Sequence, residues 1–124
     1  MILKSRNIEH LNEQELHRFL EDLSSEKSAF QRHSKELLDM LEEDNRLFLR
    51  RYSEVQEEME CINRNRGDFN IFSKNHMEAM DEIRCHRAKN IAELEEAVIE
   101  ENKKYNRMEE QIREQVTHLR EQKG

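Results

Sequence analysis

The chain has 124 residues, 40% of them charged, no proline, no tryptophan, two glycines and a formal net charge of -7 at pH 7. That bias toward Leu, Glu, Gln, Lys, Arg and Met belongs to long helices and coiled coils, and it leaves strand improbable. Hydrophobic content of 35% with two Tyr and five Phe suits a narrow seam between helices rather than a layered globular core. The acidic balance argues against nucleic acid as main partner, and no run of apolar residues is long enough for membrane insertion.

At the start, "MILKSRN" is too short for the apolar region of a secretion signal, so the expected location is cytoplasmic. Ile2, Leu3, Ile8, Leu11 and Phe19 form a small apolar surplus there, beyond or beside the regular pattern. Helix one is then expected over about 11–64, carrying Leu16, Leu20, Leu23, Phe30, Leu37, Leu41, Phe48, Tyr52, Val55, Met59 and Ile62 at intervals of three, four or seven. The segment "CINRNRGDFN", residues 61–70, breaks the pattern with Gly67, and a turn is expected over about 65–69. Helix two, about 69–121, resumes it with Phe72, His76, Met80, Ile83, Arg87, Ile91, Leu94, Val98, Tyr105, Met108, Ile112, Val116 and Leu119. At about 1.5 Å per residue each helix would run roughly 75 Å.

In an antiparallel hairpin the numbers of facing residues sum to a constant. Leu16 with Leu119, Leu23 with Ile112, Phe30 with Tyr105, Leu37 with Val98, Leu41 with Leu94, Phe48 with Arg87 and Tyr52 with Ile83 all give 135. Half of that constant falls at the Gly67–Asp68 junction, where glycine suits a helix exit and aspartate the entry to the next helix. The expected fold is therefore all-α, a long antiparallel two-helix coiled-coil hairpin forming a single elongated domain over 1–124. Polar gaps mirror too, Ser34 with Glu101 and Asn45 with Asn90. Asn45 and Asn90 either fix the register at a cost in stability or flank a phase slip between Leu41 and Tyr52.

Candidate chemistry is sparse. Arg66-Gly67-Asp68 spells a cell-adhesion tripeptide, but helix exit and entry already account for its Gly and Asp. Cys61 and Cys85 sum to 146, about 16 Å out of register along the axis, so free thiols are expected. The histidines and carboxylates match neither a di-iron bundle nor an H-E-x-x-H spacing, so no metal, cofactor or catalytic site is expected. Arg46, Arg50 and Arg51 surround Leu47, Phe48, Leu49 and Tyr52, the densest apolar cluster beside the seam. Leu47 and Leu49 are either ordinary exposed leucines, a surface covered by an extra element, or a docking face for another protein.

A chain of about this length forming one hairpin with its turn near the centre, followed by "DFNIFSKNHMEAMDEIRCHR", resembles the FliJ/YscO family. These are central stalk proteins of flagellar and virulence-type type III secretion systems. The resemblance implies a non-enzymatic, monomeric hairpin whose paired ends enter the pore of a hexameric secretion ATPase and stimulate it. The half near the turn would contact the export gate, and secretion chaperones are further partners. Carried onto this chain, the pore segments would be roughly 11–30 and 105–120, including Arg18 and Arg113, and the gate-facing part roughly 50–80. The alternative is a generic coiled-coil scaffold or adaptor that dimerises through its apolar seam.

Overall fold

The computed structural model describes residues 8–65 and 70–123, and their side chains over 8–64 and 73–123. Two helices, α1 (Glu13–Asn65) and α2 (Asn70–Lys123), of 53 and 54 residues, pack together as an all-α antiparallel hairpin, with no strand among the described residues. The turn expected at Gly67 and Asp68 lies outside the described residues, as do Ile2, Leu3 and the side chain of Phe72.

Helix α1 opens on a reciprocal cap. The Asn12 carboxamide oxygen accepts from the Glu15 N–H at 2.8 Å, and the Asn12 N–H donates to Glu15 Oε1 at 3.3 Å. Two of the N–H groups that a helix start leaves unpaired are thereby satisfied, and Glu13 and Glu15 place negative charge at the positive end of the helix dipole. Just before the cap, the Leu11 N–H donates to the Ile8 carbonyl at 3.2 Å, closing a turn over Glu9 and His10. That turn accounts for most of the early apolar surplus, because Ile8, Leu11 and Phe19 pack against the hydrophobic core.

The chain divides into two units, Met1–Lys35 with Ala97–Gly124, and Glu36–Glu96. The first holds the core: Leu16 and Leu23 are completely buried, and Tyr105, Ile112 and Val116 nearly so. Each such side chain contributes about 1.5–3 kcal/mol by leaving water. Phe30 and Tyr105, paired by the sum of 135, stack with ring centroids 5.6 Å apart. Polar groups close over this core from both helices. Lys27 Nζ sits 2.9 Å from the buried Glu109 carboxylate, and Arg120 Nε donates to Glu13 Oε1 at 2.7 Å.

The second unit is built differently. Among its described residues no apolar side chain is fully buried, and Leu38, Leu41, Phe48, Tyr52, Val55, Met59, Met80, Ile91 and Leu94 are half-buried. Arginines fill part of the seam. The Arg87 guanidinium lies 4.7 Å from the centre of the Phe48 ring, again the pair summing to 135, and its terminal nitrogen reaches Asp44 at 2.6 Å. Arg84 lies 5.8 Å over Tyr52, whose hydroxyl donates to Asp81 at 3.4 Å. Near the outer limit of the described helices Asn63 and Ser73 exchange hydrogen bonds of 2.7 and 3.0 Å.

Three expected seam positions are corrected here. Leu37 is 45% exposed, Ile62 38% and Ile83 50%. The reason at Leu37 is spacing: the shielded positions run Phe30, Ser34, Leu38, Leu41, so two four-residue steps follow one another and carry the inward direction from 37 to 38. Such a 4-4-3 sequence is the local eleven-residue pattern that shifts a heptad stripe. The phase slip thus sits at Ser34–Leu38, whereas Leu41, Asn45, Phe48 and Tyr52 keep regular steps of four, three and four. Ile83 yields its place to polar neighbours, since Asp81 and Arg84 engage Tyr52 and leave Ile83 on the flank.

Candidate functional site

The residues singled out for docking separate into three places. Arg18 lines a shallow groove with Leu11, Glu15, Phe19 and Asp22, between the capped start of α1 and the turn before it. Arg113 lies on an open, exposed face of α2 with Glu110, Glu114, Thr117 and His118, and one of its nitrogens lies 3.4 Å from Glu109. Both places belong to the first unit and mix charges of either sign.

The third place is the flank of α1 in the second unit. Leu47 is 51% exposed and Leu49 40%, so no extra element among the described residues covers them. They do not form one patch, because residues two apart point about 200° apart around a helix. Leu47 instead belongs with Leu37 and Met40, three, seven and ten residues apart, all on one side. Met40 is 69% exposed, and the stripe spans about 15 Å at the helical rise of about 1.5 Å per residue. Sequence reading missed it because Leu37 was placed in the seam; the signal was the spacing of Met40 and Leu47 by one heptad. Arg50 and Arg51 are exposed beyond its C-terminal end, with Arg51 held 3.2 Å from Glu54.

Electrostatic perturbation is confined to structural contacts. Burial, then the Glu26 charge and the 3.2 Å hydrogen bond to Glu26, pushes the Tyr105 phenol up to about 12. The hydrogen bond from Arg120 holds the Glu13 carboxyl below its ordinary value. Among the described residues no group of three or more His, Cys, Asp or Glu is placed to hold a metal ion, and no helix is long and apolar enough to cross a membrane. Cys61 and Cys85 are both exposed, and neither is in a disulfide. What the arrangement offers chemically is surface: one shallow charged groove, one open charged face, one apolar stripe and a basic end. No protein-family model matches this chain, and no curated protein or solved structure matches it.

Proposed function

We propose that the protein is a non-enzymatic hairpin that works by docking other proteins, as the central stalk of a type III secretion ATPase. The observation that carries this reading is the contrast between the units. The unit containing the paired helix ends has a buried core, a capped start and inter-helix ion pairs, which suits a shaft held in a ring. The other unit leaves Leu37, Met40 and Leu47 exposed, which suits attachment to a further component such as the export gate or a chaperone. On this reading the isolated chain is a cytoplasmic monomer, and its effect is exerted through the hexameric ATPase.

The test adds purified protein to a type III hexameric ATPase and follows phosphate release. Stimulation is expected, with no hydrolysis by the hairpin alone. Arg18→Glu with Arg113→Glu should weaken it at unchanged helicity, because exposed charges contribute little to folding yet steer association. Absence of both binding and stimulation would refute the stalk. The exposed stripe favours a second reading, a scaffold that self-associates through this flank; stable dimers at micromolar concentration, abolished by Met40→Glu, would establish it.

A further inference from the structure

The exposed stripe of Leu37, Met40 and Leu47 lies inside a charge gradient. From residue 36 to 44 α1 carries five carboxylates and no cation, and from 45 to 51 three arginines and no acid, all of these charged side chains exposed. Glu36 stands one helical turn before Met40 and Arg51 one turn after Leu47, so the side that presents the stripe has an acidic end and a basic end. Such a face is its own complement when reversed. Turned end for end about a two-fold axis, it lays acid on base at both ends and brings the apolar side chains together between them.

We propose that the occupant of this flank is a second copy of the chain, packed antiparallel, with Met40 against the second copy's Leu47, Glu36 against its Arg51, and the axis between residues 43 and 44. Each contact then occurs twice, as in any interface that uses the same patch on both copies. The carboxylates nearest the axis are already answered within their own copy, Glu43 by Arg46 at 2.9 Å and Asp44 by Arg87 at 2.6 Å. Arg51 lies 3.2 Å from Glu54, but both side chains stay mostly exposed, so its guanidinium is open to a further carboxylate. Charge selects the direction, because a parallel copy would set carboxylates beside carboxylates and arginines beside arginines. A foreign helix would have to bring the opposite gradient, which a second copy supplies by reversal alone. The inference goes beyond the stalk reading and does not rest on it. The contact runs about 22 Å along one helix face, short beside the interfaces of permanent dimers, so the pairing is reversible and dilute protein stays monomeric.

Sedimentation equilibrium of the full chain, from micromolar to near-millimolar concentration, tests the pairing through charge swaps. Reductant is present because Cys61 and Cys85 are exposed, and circular dichroism checks that each variant keeps its helicity. The parent should show a reversible monomer–dimer equilibrium, and Met40→Glu should abolish it. Glu36→Arg and Arg51→Glu should each weaken dimerisation by about tenfold, since each turns two attractive pairs into repulsive ones. An equimolar mixture of these two variants should regain the parent's affinity, because every pair across the axis is again acid on base. The chain bearing both changes should regain it alone. A parent that stays monomeric throughout the range, a Met40→Glu variant that dimerises as the parent does, or a mixture that associates no better than its components overturns the inference. Stimulation of the ATPase is measured separately, so the stalk reading stands or falls without these outcomes.

Discussion

Replacing Leu23, Leu38 and Leu37 by alanine, one at a time, separates the observed seam from an unbroken heptad stripe. Leu23 is completely buried in the core beside α2, so Leu23→Ala loses the transfer energy of the removed carbons, about 0.8 kcal/mol for each, and leaves a cavity. The combined cost is about 3–4 kcal/mol. Leu38 is half-buried, and solvent can follow the side chain out, so about half that loss, roughly 1.5–2 kcal/mol, is expected. Leu37, 45% exposed, loses less contact still, and the better helix propensity of alanine offsets part of it, leaving about 0.5–1 kcal/mol. Urea titration followed by circular dichroism at 222 nm reads the three values, provided the slopes agree so that differences in midpoint report stability. Against a total of about 5–15 kcal/mol the steps are resolvable. If Leu37→Ala proves more damaging than Leu38→Ala, the four-residue step at Ser34–Leu38 is wrong and the heptad runs straight through Leu37.

Amide hydrogen exchange should divide along the two units. Residues around Leu16, Leu23, Tyr105 and Ile112 should be protected longest, and the stretch from Leu41 to Ile62 should open at lower free energy, since its described apolar side chains are at most half-buried; uniform protection would contradict the contrast. Asn12→Ala should lower stability by about 1 kcal/mol through loss of the reciprocal cap, measurable as a midpoint shift, with Asn12→Asp retaining most of it. Tyr105 supplies a pH signature. Its phenol titrates near 12 when folded and near 10 when unfolded, so the unfolded state releases its proton first. The associated stability is complete below pH 10 and is lost as pH rises toward 12. Tyr105→Phe should flatten that stretch relative to the parent; identical slopes would count against the buried phenol.

Much of the architecture was legible in the residues themselves. Composition, the three-and-four spacing of apolar positions and the symmetry of numbers about 67.5 are local or arithmetic properties, and they named two helices, their direction and pairs such as Phe30 with Tyr105 and Phe48 with Arg87. The Asn12–Glu15 cap was equally readable, as an N-x-x-E spacing before the apolar run. Other features depend on what the second helix brings. Whether Leu37 or Leu38 faces inward turns on one four-residue step, about 100° of rotation, which a sequence with leucine at both positions leaves open. Nothing local distinguishes Leu23, completely buried, from Leu41, half-buried at an equivalent place in the stripe; burial was decided by the apolar side chains, Phe19, Leu20, Phe30 and Met108 among them, that gather on the core of the first unit. The same holds for Asn45 and Arg87, ordinary polar residues in the sequence, whose Oδ1 and Nε atoms are shut off from solvent because side chains from both helices close around them. Periodicity can state which side of a helix turns inward, whereas solvent exclusion at a given residue is a property of all the atoms that surround it.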